Sequence, residues 1–231
     1  MYPEVQYEEG VACLILDNPP LNTLDLDIIL ALEKRFKDLQ KKTPLVITGN
    51  GTAFCAGVNV KAFAGYRNSQ KQEMILAITR MTSALLSIDA PVVAAINGHS
   101  MGGGFVLPLC ADYRISIDCD SIKHGLTEAE AGIPFPIGPV EIVKHELSPA
   151  LTRQLTLSSR IVTSRKLLEH SVLDELATAE DLQKVSVERA LELSEQPVFS
   201  IVKQQIRGKL RANLLAHVKK KQDPLIAYLG L

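Results

Sequence analysis

The amino-acid sequence predicts an α/β fold, because short buried strands alternate along it with amphipathic helices. Apolar and β-branched runs predict strands at residues 11–16, 44–48 and 92–96. Apolar residues at helical spacing predict helices at about 25–42 and 69–88, between these strands. Strand–helix–strand repeats with short links are typical of crossover units, so we expect an α/β fold built from such units.

The part of the chain beyond Pro136 predicts mainly helices. After a further strand at 113–117, helices are predicted at 140–147, 149–157, 164–170, 179–195 and 198–211. We therefore place a boundary near Ile137. It separates an α/β core at 1–136 from a helical C-terminal part at 137–231.

Composition excludes several classes of partner. Lysine and arginine number 25 against 26 acidic residues, a net charge of -1 that favours neither nucleic acid nor a membrane surface. The acidic N-terminus lacks the apolar core of a signal peptide, and no apolar run reaches the ~18 residues of a membrane span. The four cysteines are widely spaced and form no C-x-x-C pair. We expect a cytoplasmic protein with reduced thiols and no metal site.

The stretch at residues 92–110 is the most informative in the chain. A buried strand is followed by an Asn97-Gly98 turn and by three glycines that open an apolar helix. Glycines at a helix start are tolerated mainly where a ligand approaches the backbone or where φ is positive. The unpaired amides of that first turn can then face an anion or a developing oxyanion. The plainer interpretation is a tight crossover with glycines for packing only.

Two chemical interpretations compete for this stretch. Gly98 to Gly102 match the G-x-S-x-G nucleophile elbow of serine hydrolases, with Ser100 as the nucleophile. In the other interpretation, the amide of Gly103 is an oxyanion donor and Ser100 has no chemical role. Two further stretches bear on the choice: FCAGVNVK at 54–61, which places small residues after a strand, and the glycine-bounded HGLTEAEAGIP, which carries Glu128 and Glu130.

Together these stretches resemble the crotonase superfamily, the enoyl-CoA hydratases and isomerases. The matching segments are FCAGVNVK, NGHSMGGGFVLPLCADYRIS and HGLTEAEAGIP, with PPLNTLD near the start and QPVFSIVKQQIR near the end. The resemblance covers essentially the whole chain in the right order. It implies a spiral of ββα units, a helical C-terminal oligomerisation part, and assembly as a homotrimer or a dimer of trimers.

The resemblance also implies a substrate and a set of site residues. The substrate is an acyl-CoA thioester, so coenzyme A is part of the substrate and no separate cofactor is expected; an acyl carrier protein stays an alternative carrier. The backbone amides of Val58 and Gly103 match the two oxyanion donors. Segments that line the coenzyme A moiety match Leu21, Asn22, Ala56, Val60 and Lys61, and lysines 219–221 match residues near a CoA phosphate.

The resemblance makes Glu128 the acid–base residue, with Glu130 as its rival two positions away. An apolar pocket is expected to raise the pKa of this carboxyl towards neutrality. Hydratases carry another glutamate three residues after the middle glycine, where this chain has Val106. A single carboxylate favours moving one proton between carbons, as in Δ3,Δ2-enoyl-CoA isomerases. Hydration, thioester hydrolysis and decarboxylation remain alternatives.

Two other classes of protein stay open. A serine hydrolase using Ser100 would need an acid and then a histidine later in the chain, for which Asp174 or Asp181 with His217 are candidates. The upstream HGGG-type oxyanion loop of such enzymes is absent. A non-catalytic acyl-CoA-binding protein would keep the backbone cradle and have no working base.

Overall fold

The computed structural model describes residues 3–39 and 43–231. The strands of this part of the chain are β1 Glu4–Glu8, β2 Val11–Leu16, β3 Leu45–Gly49, β4 Ala53–Cys55, β5 Val92–Ile96, β6 His99–Met101, β7 Tyr113–Ile117, β8 His124–Gly125 and β9 Glu175–Ala177. The helices are α1 Leu26–Asp38, α2 Val60–Gly65, α3 Asn68–Leu86, α4 Gly103–Leu109, α5 Glu128–Ala131, α6 Ile137–Glu146, α7 Pro149–Thr156, α8 Ser164–Glu169, α9 Leu182–Ser194, α10 Phe199–Lys220 and α11 Pro224–Tyr228.

The strands form two sheets. The larger has the order β1-β2-β3-β5-β7-β9, and the smaller has the order β4-β6-β8. Only the β1–β2 pair is antiparallel among these described strands. Each of β3, β5 and β7 is followed by a short strand of the smaller sheet and then by a helix. The predicted α/β fold, a spiral of ββα units, is therefore confirmed.

The predicted strands at 11–16, 92–96 and 113–117 are confirmed at those limits, and the helix predicted at 69–88 is α3. The helix predicted to begin near Asp25 starts at Leu26, because the Asp25 carboxylate caps it by accepting from the Ile28 amide. Its predicted end at residue 42 lies outside the described residues. The prediction ended the last long helix at residue 211, which is too early, because α10 continues to Lys220.

Several short strands were not predicted, namely β1, β4, β6, β8 and β9. Strand β6 lies between β5 and the glycine-led helix, so the expected direct passage from strand to helix is wrong. Two or three residues are too few to show a strand period, which explains why β4, β6, β8 and β9 escape sequence analysis. Strand β9 pairs with β7, so the C-terminal part contributes to the main sheet and is not purely helical. The division near residue 137 stays a prediction.

The larger sheet is covered on both faces. On one face, α1, α3, α4 and α6 contribute to the main apolar core. On the other, strand residues such as Val46, Val93 and Ile115 pack with Leu182 and Val187 of α9. Because successive strand side chains point to opposite faces, nearly continuous apolar strands are what such a buried parallel sheet requires.

Helix α4 is held at its C-terminal end by two buried guanidinium groups. Arg114 donates to the carbonyl oxygens of Pro108 at 3.0 Å and of Leu109 at 3.0 Å. Arg207 donates to the carbonyl oxygens of Cys110 at 2.7 Å and of Ala111 at 2.8 Å. These bonds satisfy carbonyls that a helix end leaves unpaired, and they place positive charge where the helix dipole is negative. The position of α4, and with it of its first turn, is thereby fixed.

All four cysteines are free thiols, three of them buried. Within residues 3–39 and 43–231, no helix has the length and apolarity to cross a membrane. The same residues contain no group of three or more His, Cys, Asp or Glu side chains placed to hold a metal ion.

The backbone of α4 is in direct contact with the backbone of β4 and of the residues that follow it. A Cβ atom on Gly104 would lie 2.1 Å from the carbonyl oxygen of Cys55 and 2.8 Å from the amide nitrogen of Gly57. No side chain fits there, and both obstructing atoms belong to the backbone. Glycine at 104 is thus a requirement of packing.

We predict that Gly104→Ala lowers the free energy of unfolding by at least about 3 kcal/mol, because the methyl group overpacks a rigid backbone contact. Gly208→Ala is the matched control, since a Cβ atom at this helical position meets nothing within 4 Å. Replacing that glycine is expected to stabilise the protein by about 0.5–1 kcal/mol. Urea unfolding of both variants measures the difference, and equal stability of the two would contradict the packing.

Candidate active site

A cavity of about 220 Å³ lies between α3, the smaller sheet and the loop that follows α5. Its lining is mostly apolar and includes Ile78, Met81, Val106 and Phe135. Among the described residues, Glu128 is the only acidic one in this lining. A concave apolar site with one convergent ionisable group is the usual form of a small-molecule site.

The first wall of the cavity is the segment after β4. Leu24 and Val58 form a parallel bridge, in which the Leu24 amide donates to Gly57 O at 2.8 Å and Leu24 O accepts from the Asn59 amide at 2.7 Å. In such a bridge the amide of Val58 itself points away from Leu24. It donates to no other described residue, and Val58 lines the cavity.

The second wall is the turn into α4. Gly102 has φ +52° and is the N-cap residue, and its amide donates to Gly125 O at 2.8 Å. Gly103 is the first residue of the helix, so its amide has no partner within the helix. It also makes no hydrogen bond to any other described residue. The amide of Gly103, like that of Val58, is free to bind a ligand.

The two walls meet at Gly57. This residue has φ +82°, and a Cβ atom on it would lie 2.6 Å from Met101 O and 3.2 Å from the Gly103 amide nitrogen. The Cβ position of Gly103 lies 3.9 Å from Cγ2 of Val58. The structure therefore brings the two predicted oxyanion segments side by side.

The Glu128 carboxyl lies against the second wall. Its Oε1 is 3.1 Å from the Cβ position of Gly102, and its Oε2 is buried without a hydrogen-bond partner among the described residues. Burial removes water from the carboxylate and raises the pKa of Glu128 to about 7. The sequence prediction of a raised pKa at this position is confirmed. Such a group can both accept and return a proton near neutral pH.

Glu130, the rival carboxylate, lies outside the cavity. Its side chain is exposed, and its amide donates to Ser159 Oγ at 3.3 Å. Helix α5 is a single turn, so residues 128 and 130 point in different directions from it. The structure places Glu128, and not Glu130, in the cavity that Val58 and Gly103 also line.

The residues predicted to line coenzyme A lie on the same side as the first wall. The Ala56 amide donates to Leu21 O at 3.0 Å, which joins their two segments. Ala56 and Val60 line the cavity, while the Lys61 side chain is exposed next to it in α2. Asn22 is 2% exposed as a whole residue, and its amide donates to Asn18 O at 2.8 Å, so neither its side chain nor its amide is free for such a role.

The Asn22 side chain has a structural role that sequence analysis missed. Its Nδ2 donates to Asn50 O at 2.9 Å and to Ala53 O at 2.8 Å. With a φ of +53°, the residue forms a tight loop that holds the start of β4.

The lysines 219–221 are exposed at the end of α10, where Lys220 and Lys221 line a separate groove with Gln72 and Asp223.

Ser100 is inaccessible, which argues against a serine hydrolase. Its relative exposure is 0%, it is absent from the cavity lining, and its hydroxyl bonds to Nδ1 of His124 at 2.7 Å. The other ring nitrogen of His124 bonds to Ser164, not to a carboxylate. Of the proposed acids, Asp174 is engaged elsewhere, since it accepts from the Arg114 amide. The His124 contact was not predicted from sequence.

Solved structures identify the fold class. A probable enoyl-CoA hydratase from Mycobacterium tuberculosis aligns with a TM-score of 0.86 over 99% of this chain and 96% of its own, at 24% identity. A structure described as an Mtb enoyl-CoA isomerase aligns with a TM-score of 0.84 over 94% and 96%, at 23% identity. Both structures are of the same mycobacterial protein, described as a hydratase in one and as an isomerase in the other. They show that this chain has the crotonase fold, and they do not separate the two reactions.

Sequence comparison identifies the family. A model of the enoyl-CoA hydratase/isomerase family matches residues 6–228. The carnitinyl-CoA dehydratase of Proteus mirabilis is 30% identical over 187 residues, which are 79% of this chain and 69% of the relative. The peroxisomal bifunctional enzyme of Danio rerio is 29% identical over 196 residues, which are 84% of this chain and 26% of the relative. The chain belongs to the enoyl-CoA hydratase/isomerase family and is an enzyme of the lyase or isomerase type that acts on acyl-CoA.

We predict that Glu128→Gln stabilises the protein at neutral pH. The folded-state pKa of Glu128 is raised from 4.5 to about 7. Between these values the folded protein keeps a proton that the unfolded chain releases, so wild-type stability falls as pH rises. A tenfold difference in proton affinity between the two states corresponds to about 1.4 kcal/mol, and we expect a gain on the order of 2 kcal/mol for the variant at pH 8. At pH 4.5 the two proteins should be equally stable.

Urea unfolding at both pH values measures this difference, with Glu130→Gln as the control because that carboxyl is exposed. A Glu128→Gln gain that is independent of pH would contradict a buried, neutral carboxyl.

Proposed function

We propose that this protein is an enoyl-CoA isomerase that moves the double bond of a 3-enoyl-CoA thioester into conjugation with the carbonyl group. The observation that carries the proposal is the Glu128 carboxyl, the only acidic group among the described residues that line the cavity. Its Oε2 is buried without a hydrogen-bond partner among those residues, and the same cavity is lined by Val58 and Gly103, whose amides are free. An acceptor for a proton and donors for an oxyanion are the two requirements of an enolate reaction.

The proposed reaction transfers one proton. The Glu128 carboxylate removes a proton from C2, and the electron pair of that C–H bond moves towards the thioester carbonyl oxygen. The amides of Val58 and Gly103 bind the resulting oxyanion. Collapse of the dienolate then takes the same proton back at C4, so the double bond moves from C3–C4 to C2–C3. Atoms and electrons balance within the substrate, and this chemistry requires no separate cofactor.

Two features of the site favour this transfer. Because the pKa of Glu128 is raised to about 7, the carboxyl releases and regains a proton at nearly equal cost near neutral pH. Two preorganised donors directed at developing negative charge contribute on the order of 3 kcal/mol each in comparable oxyanion sites. Neither donor is a side chain, so the identity of Val58 matters little to this role.

Val106 argues for isomerisation over hydration. It is buried in α4 and lines the cavity, where a second carboxylate could otherwise activate water. An apolar surface in the same cavity instead excludes water from the enolate. Hydration or dehydration is the second candidate, because a relative of this chain is described as a carnitinyl-CoA dehydratase.

The partner proposals follow from the family and from the surface. An acyl-CoA is the proposed substrate, with an acyl carrier protein as the alternative carrier. Helix α10 exposes Ile201, Val202 and Ile206, which supports the proposed homotrimer or dimer of trimers. The four free cysteines agree with a cytoplasmic location, which also remains a proposal.

We predict that the wild-type protein converts 3-enoyl-CoA to 2-enoyl-CoA and that Glu128→Gln lowers kcat by about 10²–10⁴-fold, because the amide cannot accept the proton. Spectroscopy of the conjugated thioester measures the rate. Glu130→Gln serves as the control and should keep wild-type activity. Turnover of a p-nitrophenyl ester that is lost only in Ser100→Ala, or isomerisation undiminished in Glu128→Gln, would refute the assignment.

We also predict that Val106→Glu changes the ratio of two reactions. A second carboxyl in the cavity should increase hydration of 2-enoyl-CoA relative to isomerisation of 3-enoyl-CoA, because one group can then activate water. Val106→Gln is the matched control for the change in size and polarity. If both variants show the same ratio, the missing carboxylate is not what limits hydration.

A further inference from the structure

Behind the cavity, four buried polar side chains form a continuous hydrogen-bonded chain. Ser100 Oγ bonds to His124 Nδ1 at 2.7 Å, and His124 Nε2 bonds to Ser164 Oγ at 2.9 Å. Ser164 Oγ then bonds to Ser116 Oγ at 2.8 Å. All four residues have a relative exposure of 0%. None of them lines the cavity or takes part in the proposed proton transfer.

This chain, which we call the serine–histidine chain, connects the two sheets. Ser100 and His124 are paired residues of β6 and β8 in the smaller sheet. Ser164 is the first residue of α8, and Ser116 lies in β7 of the larger sheet. The backbone of His124 is also bonded to Val162, with two hydrogen bonds of 2.9 Å. The serine–histidine chain therefore connects β6 and β8 to α8 and to β7 of the larger sheet.

The imidazole of His124 is neutral in this setting. Burial lowers its pKa to about 3, and the charged or titratable groups nearby, Lys123 and His99, disfavour a second positive charge. The ring of Phe105 covers it, with the ring centroids 5.9 Å apart. A neutral imidazole has one N–H donor and one acceptor nitrogen, so its two hydrogen bonds must run in opposite senses.

Only one direction of hydrogen-bond donation along the serine–histidine chain gives every polar hydrogen of the four residues an acceptor. Ser116 can donate to the carbonyl oxygen of Ile96 or of Ile117, each at 3.4 Å. If Ser164 donates to Ser116 and His124 Nε2–H donates to Ser164, then Nδ1 accepts from Ser100, and every polar hydrogen has an acceptor. In the reverse direction the Ser100 hydroxyl has no acceptor among the described residues. The chain thus selects the Nε2–H tautomer.

The serine–histidine chain lies close to the segments that carry the Gly103 amide and the Glu128 carboxyl. Strand β6 runs directly into Gly102 and Gly103, and β8 leads within three residues to Glu128. The Gly102 amide donates to Gly125 O at 2.8 Å, next to the Ser100–His124 pair. A slip or separation of β6 from β8 would therefore move the Gly103 amide relative to the Glu128 carboxyl.

We propose that His124 is a positioning residue: through Ser100 and Ser164 it fixes the register of β6 on β8 and so sets the position of the Glu128 carboxyl relative to the Gly103 amide. The catalytic part of this inference rests on the proposed function. The structural part, a directional chain with a fixed tautomer, does not. A partly satisfied buried polar chain is less favourable than a complete one, so loss of one member should disturb the others.

The structural part is tested by ¹⁵N NMR of histidine-labelled protein. His124 should show Nε2 protonated and Nδ1 unprotonated, with no titration from pH 5 to pH 8. The exposed His170 serves as the reference signal in the same spectra. An Nδ1–H tautomer, or a His124 that titrates in this range, would overturn the proposal whether or not the protein is an isomerase.

The positioning part is tested with Ser164→Ala, which removes the acceptor of His124 Nε2–H. Ser158→Ala is the matched control, because that serine is exposed. We expect Ser164→Ala to lower kcat on 3-enoyl-CoA by on the order of 10- to 100-fold with KM unchanged, as for a small misplacement of a reacting group. The pH profile of kcat should shift, because the surroundings of Glu128 change.

A readout that is independent of turnover separates the two proposals. ¹³C NMR of the Glu128 carboxyl should show its pKa displaced in Ser164→Ala and unchanged in Ser158→Ala. A Ser164→Ala protein that is less stable, yet keeps the wild-type kcat, pH profile and Glu128 titration, would show that the chain has no positioning role. If the wild-type protein does not isomerise 3-enoyl-CoA, the proposed function fails, and the NMR measurements still decide the inference.

Discussion

The site depends on one close contact between backbones. The end of β4 and the first turn of α4 approach so closely that a Cβ atom on Gly104 would lie 2.1 Å from Cys55 O, and one on Gly57 would lie 2.6 Å from Met101 O. Glycine is the only residue that permits both approaches, and at Gly57 it also supplies a positive φ. This contact leaves two unpaired amides side by side at the wall of one cavity.

The rest of the fold holds this contact from behind. Arg114 and Arg207 bind the carbonyl oxygens at the far end of α4, and the Asn22 side chain holds the loops around the start of β4. The serine–histidine chain lies under β6 and β8. The polar groups of these supports are hydrogen-bonded within the protein, whereas Glu128 Oε2 and the two amides have no partner among the described residues. These three unsatisfied groups are thus found where a ligand would satisfy them.

Much of the fold was predictable because its elements have strong local patterns. The strands at 11–16 and 92–96 are continuous apolar runs, and α3 has a clear helical period. Strands β6, β8 and β9 have only two or three residues, and their pairing is decided by tertiary contacts that no short pattern reveals. Helix α10 extends beyond its predicted end because Leu210 and Leu214 are buried against the core.

The part of the site that consists of free backbone amides was predictable, because such amides require glycines at or next to them in the sequence. Glycines mark the free amides, whereas the family resemblance, and not the residues around it, favoured Glu128 over Glu130. The partner of Ser100 could not be found in this way, since His124 lies 24 residues away and meets it only through the register of β6 on β8. Likewise, the IPFP segment at 133–136 lines the cavity, although a proline-rich loop carries no chemical signal of its own.

Hydrogen exchange at C2 of a bound thioester tests the central claim most directly, because it detects the enolate without requiring a complete reaction. An arylacetyl-CoA has acidified C2 protons and no double bond to shift. In D₂O, proton NMR should show the wild-type protein replacing these protons with deuterium, and Glu128→Gln should not do so although it still binds the thioester. If the wild-type protein binds the thioester and its C2 protons exchange no faster than in buffer, enolate formation at this site is contradicted.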